Sequence, residues 1–599
     1  MSDPRHILPP LLAGLLLVAV PVAGVLAQGD APQEVLSRAR RLEVRGELEA
    51  AAGLLAPLYR EDPSHTAVFL AYYRLLQRLD RGDEELQALE LRLQAVPGDP
   101  RALGWKGDRL LEEGERSAAL ALWRRMAEGS PSDPGMWRMA GARMQAAGAR
   151  EEALTLYRRA RQALEDPAAL APEAARALMA LGRHVEAGRE LLDYLRAEPG
   201  RAAVVQTLLS GIPYTAPIAE ELAAMAAERA GEADDPALFH RMAGRIRLYA
   251  GQSDQALPHF RRADRLAGAR GMVLTELART ESIRGAWGAA ERVWQAVLEE
   301  DPPEALAVSA RLGRGRALLR LERPTEALEA LRGAAAAPPG ERVWSEAVLL
   351  FARAAREAGR EEEARRAYER LSRLAPDPGD RWEGSLGVAG LLLAAGRPDS
   401  ARVIYEEVAA EADPGEGEAT ARRARLGAAR TLLYLGRVEK AGERIDRAAE
   451  AGSGGPDFTG VLERYRRTRL VGADAAGGAA RFGRALLAAD GGRHAEAALL
   501  LEDLAEEVAG PAREEVLFAL ARSHAARGDS LAAAGTWREA SGIDGALQPD
   551  RALYEEARIV WAQREARARE ALEEMMTRYP ESPWAEGART LLRRIVEGP

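Results

Sequence analysis

The chain of 599 residues contains no cysteine and only two lysines, Lys106 and Lys440. Without cysteine there is no disulfide framework, no thiolate metal site and no sulfur nucleophile. A thiol-free chain also suits an oxidising compartment, where stray thiols mispair. Neither lysine follows a glycine-rich turn, so a nucleotide-binding P-loop is excluded, and Schiff-base chemistry has almost nothing to work with. Aromatic residues make up 5%, too few to fill several large globular cores. The alternating runs of Val, Ile, Thr and Tyr that mark strands are missing. Basic excess is missing too: the formal net charge is −9, which argues against a general nucleic-acid binder.

What is present is helical. Alanine, leucine, arginine and glutamate dominate, and all four are good helix formers. A chain of this length would ordinarily hold three or four domains, unless it is a repeat array, which grows in one direction without a central core. Glycines recur as turn residues at Gly46, Gly82, Gly114, Gly148 and Gly182, spaced by 36, 32, 34 and 34. They return at Gly251, Gly285, Gly359, Gly396, Gly436, Gly492 and Gly528. Glu322 stands where one glycine is missing, and a last turn falls near Gln563. A period of about 34 residues with one central turn means two helices per unit, each of about four turns.

The register around the turns carries more information than their spacing. Alanine stands five residues after every turn except that of Gly82, from Ala51 and Ala119 through Ala441 to Ala568. Glycine or alanine stands seven residues before, as Gly107, Gly141, Ala175 and Ala278, with Leu75 and Glu556 as exceptions. Small side chains let helix backbones approach, so these columns mark where the helices of a pair cross. A large apolar side chain follows nine residues after the turn, as Trp123, Tyr157, Phe260, Trp294, Tyr368, Tyr405 and Trp537, and fills the space between units. Prolines seventeen residues after the turn, such as Pro63, Pro131 and Pro376, stop the second helix.

Small, small, large and proline at these spacings resemble the tetratricopeptide repeat family; Trp137, Gly141, Gly148, Ala153, Tyr157 and Ala160 follow its pattern almost position for position. The resemblance implies an all-α, right-handed superhelical solenoid of about 14 antiparallel helix pairs, which binds a partner along a concave groove. A pentatricopeptide array, which reads RNA, has a similar period but does not fit the acidic balance or the export signal described next. The last unit, from Arg578-Tyr579-Pro580-Glu581-Ser582 to Trp584-Ala585 and Ala588, resembles the Tyr-Pro-x-Ser-x-x-Ala signature of envelope tetratricopeptide proteins. Those include the outer-membrane assembly lipoprotein and the coordinator of the Tol-Pal system. This second resemblance implies a periplasmic scaffold.

Residues 1–27 read as a signal peptide: Arg5 and His6 precede an apolar stretch from Ile7 to Ala27, and Val25-Leu26-Ala27 offers a cleavage site before Gln28. Uncleaved, the stretch is long enough to serve as an N-terminal membrane anchor. The remaining organisation reads as an N-terminal array at 28–200, a degenerate repeat at 201–235, a central array at 236–451, an irregular hinge or insert at 452–491, and a C-terminal array with a capping helix at 492–599. The insert carries Gly452-Ser453-Gly454-Gly455-Pro456 and reads either as a hinge or as a loop that contacts a partner.

No catalytic, cofactor or metal constellation emerges. There is no G-x-S-x-G and no H-E-x-x-H, and no two of the seven histidines lie three to five residues apart. Acidic clusters such as Glu361-Glu362-Glu363 sit at helix starts, where negative charge offsets the helix dipole. One column does stand out. Arginine follows the small residue of the first helix at Arg40, Arg176, Arg245, Arg279, Arg316, Arg353, Arg430 and Arg522. With 81 arginines in the chain, chance would give about 1.6 in the twelve units with that small residue. In similar domains this position faces the groove, and the planar guanidinium fork bonds carboxylates bidentately. The column therefore reads either as a ladder for an acidic or extended protein or peptide, or as a set of ties to glutamates of neighbouring units. The expected protein is a non-enzymatic envelope scaffold; the other reading is a structural subunit held permanently in an export or motility complex.

Overall fold

A computed structural model of the chain describes residues 32–597, apart from 340–341, 413–416, 451 and 453. The signal segment expected at 1–27 lies outside the described residues. Among them there are 32 α-helices, one short 3-10 turn at Pro199–Arg201, and no strand. The helices divide between two compact units, one ending at Gln252 and the other beginning at Ser253. Within each, most helices consecutive in sequence lie side by side. Among the described residues no helix is long and apolar enough to cross a membrane.

The glycine turns form as the spacing predicts. At eleven of the twelve expected turn glycines φ lies between +71° and +87°, a conformation that costs glycine nothing. The amide that follows reaches back to a carbonyl in the last helical turn, as Ala149 N does to Met144 O at 2.8 Å, which closes the first helix. Glu322 adopts the same left-handed backbone at φ +56°, and Arg323 N closes onto Leu318 O at 3.0 Å.

Gly82 is the exception, and the expected register there needs correction. The left-handed residue is Asp80 at φ +54°, while Gly82 opens helix Gly82–Ala95. Counted from Asp80, the column positions fall on Tyr73 and Glu85, which are both buried, rather than on Leu75 and Gln87. Burial pushes the Glu85 carboxyl above its usual range.

The small-residue columns are the helix contacts. Ala51, Ala119, Ala153, Ala187, Ala256, Ala290, Ala327, Ala364, Ala401, Ala441, Ala497, Ala533 and Ala568 are all 0% exposed. The large side chains close over glycines: Trp123 lies against Gly107 and Tyr157 against Gly141 within a pair, while Trp294, Tyr368 and Tyr405 lie against Gly313, Gly387 and Gly427 of the following pair. Burial of these rings contributes to the apolar stabilisation between layers.

Two segments depart from the repeat. At 201–235 a shortened helix, Ala202–Ser210, is followed by Ala216–Arg229, which packs chiefly against His184–Ala197 and Pro236–Tyr249 rather than against its partner in sequence. The segment expected to be irregular at 452–491 is instead helical, as Pro456–Asp474 and Gly478–Asp490. The flanking glycines and Pro456 mark the start of a helix, not a hinge; proline at the first position needs no amide partner. Helix Pro456–Asp474 is an extra layer. After it, helix Gly478–Asp490 packs against Glu418–Tyr434 and also touches Pro378–Ala394. Arg493 Nη1 donates to Ala394 O at 3.0 Å across 99 positions of sequence. The last described helix is Ala585–Glu597, whose Arg593 and Arg594 are exposed.

Candidate ligand groove

The first helices of successive pairs in the second unit line a groove of about 540 Å³. Helix Arg342–Glu357 contributes Arg353, helix Pro378–Ala394 contributes Glu383, and helix Glu418–Tyr434 contributes Arg423 and Arg430. Asp457 of the extra helix stands at its edge. Its floor is the pair Tyr368 and Tyr405, held in place by Gly387 and Gly427. Burial raises the Tyr368 hydroxyl above its ordinary value.

Charge in the groove is arranged as a ladder. Glu383 is held from both sides, by Arg353 Nη2 at 3.9 Å and by Arg423. Arg353 stands six residues before its turn and Glu383 thirteen residues before the next one, so the tie joins neighbouring pairs. Arg316 makes the same tie to Glu346. Both are exposed pairs, worth roughly 0–1 kcal/mol each.

The arginine column therefore has more than one role. Arg316 and Arg353 tie neighbouring layers. Arg279 is exposed and has no ion pair among the described residues, because the matching position of the next pair is Ser309. Arg40 and Arg176 are exposed as well. Arg245 is 8% exposed, buried within helix Pro236–Tyr249, and does not stand open to a ligand. Arg430 lines the groove half-buried, beside Tyr405. Arg522 lines a separate pocket. The structure brings Arg353 and Arg430 together in one groove. Sequence reasoning missed Glu383 and Arg423, although both stand seven residues before the column on the same helix face.

Two buried carboxylates join layers, and the first of them falls where the small-residue rule fails. Glu556 is fully buried and held by Arg538 Nε at 2.7 Å and Arg567 Nε at 2.8 Å. Glu514 accepts backbone N–H bonds from Leu547 and Gln548, each at 2.7 Å. Burial raises both carboxyls above their usual range. Both are structural clamps between layers. Among the described residues no three acidic or histidine side chains gather as metal ligands would.

Short helices joined by glycine turns, with a charged groove along the first helices, define a helical-repeat binding scaffold. The chain carries tetratricopeptide repeats: that repeat is matched at residues 275–342 and 349–417, and in a second form at 392–464. Such repeats in general mediate protein–protein contacts and are not catalysts. No curated protein matches the sequence. Among solved structures, one titled APC/C hetero-tetramer Cut9-Hcn1 is 14% identical, covers 90% of this chain and 98% of its own, and has a TM-score of 0.23. A tetratricopeptide repeat protein from Parabacteroides merdae is 16% identical over 41% of this chain and 96% of its own, with a TM-score of 0.24. Scores this low place no residue of one chain on the other.

Proposed function

We propose that the protein is an exported, non-enzymatic scaffold that holds a protein or peptide partner in the groove of its second unit, in the service of cell-envelope assembly or maintenance. The observation that carries this reading is the groove itself: Arg353, Arg423 and Arg430 line it over a tyrosine floor, the first two sharing the Glu383 carboxylate. That leaves guanidinium donors to meet the carboxylates of an acidic or extended segment. The export half rests on the apolar run from Ile7 to Ala27 and on the Tyr579-Pro580 to Ala588 signature.

A photo-crosslinking residue at Asp457 tests the groove, with one at exposed Glu47 as the control. The expected result is one dominant partner band from Asp457, lost when Arg353 and Arg430 are both changed to alanine. Equal bands from both positions would remove the groove assignment. A partner that never exchanges once bound would make the protein a fixed subunit of a larger complex. N-terminal sequencing of the envelope fraction is expected to begin at Gln28; a start at Met1 or Ser2 supports the anchored form.

A further inference from the structure

The extra helix builds a second pocket, of about 500 Å³, that the repeat register does not call for. Helix Pro456–Asp474 supplies Arg464 and Arg467 to one wall, and helix Gly510–Ala526 supplies Arg522 and Ser523 to another. Leu486 and Leu501, from the two helices between, make an apolar side.

Its charges do not cancel. Arg464 is matched by Asp490 at 2.8 Å and lies over the Tyr434 ring at 5.3 Å. Arg467 is matched by Glu515 at 3.2 Å and by Glu463 at 3.5 Å. Arg522 makes no hydrogen bond or ion pair with any described residue. Around it stand three further guanidiniums, of Arg467, Arg551 and Arg464, against the carboxylates of Glu515, Glu463 and Asp490, which leaves one positive charge over. Arg551 does not swing away, because it is stacked on Phe518 at 5.5 Å and on Trp584 at 5.8 Å. Arg522 is a solvent-exposed residue, yet desolvation of its guanidinium and this crowding push it down to about 10. A fixed array of like charges with one member unmatched is what a bound anion relieves.

We propose that this pocket binds a small organic monoanion, with its head on Arg522 and its apolar body against Leu486 and Leu501. One unmatched cation selects one negative charge. The guanidinium fork suits a carboxylate and a phosphodiester equally, and the apolar wall disfavours a bare inorganic ion. The pocket is separate from the groove, and its failure would leave the partner-binding reading untouched.

The test is calorimetric titration of the full chain at low salt with hexanoate, with dibutyl phosphate and with neutral hexanamide. Saturable one-to-one binding of at least one anion and none of hexanamide is expected, and whichever head binds identifies the source. Arg522→Gln is expected to weaken binding by about tenfold or more, while Arg279→Gln in the same sequence column leaves it unchanged. Should Arg522→Gln fail to fold, Arg522→Lys keeps the charge but loses the fork, and is expected to weaken binding less severely. Absence of saturation by either anion, or unchanged affinity in the folded Arg522 variants, overturns the proposal.

Discussion

Gly141 lies directly beneath the ring of Tyr157, so close that a Cβ built on the glycine would stand under 3.0 Å from the ring and its hydroxyl. The same hydroxyl accepts a hydrogen bond from Gln145 Nε2 at 2.7 Å, which fixes the ring in place. Gly141→Ala is therefore expected to overpack this layer and cost about 1–3 kcal/mol. Gly53 supplies the contrast: it is helical with nothing within 4 Å of its missing side chain. Gly53→Ala is expected to stabilise by about 0.5–1 kcal/mol. Hydrogen exchange in helices Pro134–Ala146 and Leu48–Glu61 reads both; equal responses would mean that the ring contact does not govern the packing.

Glu322 occupies a left-handed turn that glycine fills elsewhere in the chain. Glu322→Gly is expected to stabilise the turn by about 1 kcal/mol, and Gly148→Ala to destabilise its own turn by a similar amount. Exchange rates at the Arg323 and Ala149 amides, which close these turns, are the measurement. A loss of protection at Arg323 on placing glycine there would contradict the backbone argument.

The arginine column separates by substitution. A double-mutant cycle on Arg316 and Glu346 is expected to show a coupling of about 0.2–1 kcal/mol that shrinks as salt is added. Arg279→Ala is expected to change stability by under about 0.5 kcal/mol. Coupling energies above that range would make the column a structural lock first and a binding surface second.

Acid acts in opposite directions at two places. The Arg265 side chain holds Glu300 below the usual carboxylate range. Its stabilisation is present above the unfolded value of about 4.3 and is lost as pH falls through the folded value. Glu514 and Glu556 are raised by burial, so the folded state takes up their protons first, and acidification moves their contribution toward folding. Hydrogen exchange between pH 7 and pH 4, corrected for intrinsic rates, is expected to show helix Pro549–Val560 keeping its protection better than helix Trp287–Glu299. The reverse order would show that the burial of these carboxylates does not control their titration.

Much of this architecture was readable before any coordinates. A positive φ and a missing Cβ are local demands, so glycine at the turns and alanine at the crossings announce themselves in a single unit. The slip at Gly82 was not readable, because Asp80 also tolerates a left-handed backbone and a glycine two residues later imitates the pattern. The extra helix was hidden by its flanks. Phe458, Val461, Thr468 and Val471 give it a buried stripe, but the glycines and Pro456 before it drew the eye to a break. The ties of Arg316 and Arg353 depend on which side chain the next layer presents, and that is a property of two units together. The pocket around Arg522 depends on an insertion folding back, which no periodicity encodes.

The bond from Arg493 to the carbonyl of Ala394 changes how the second unit comes apart. A stack held only by adjacent layers can peel open one pair at a time from either end. Here helix Gly478–Asp490 is fastened to a helix about 100 residues earlier, so the segment between is a closed loop. Forming it requires a long stretch of chain to be ordered before the contact can reward it, which slows folding. Pulled from its ends, this segment is expected to yield in one large step, where the pairs of the first unit yield in a series of small ones.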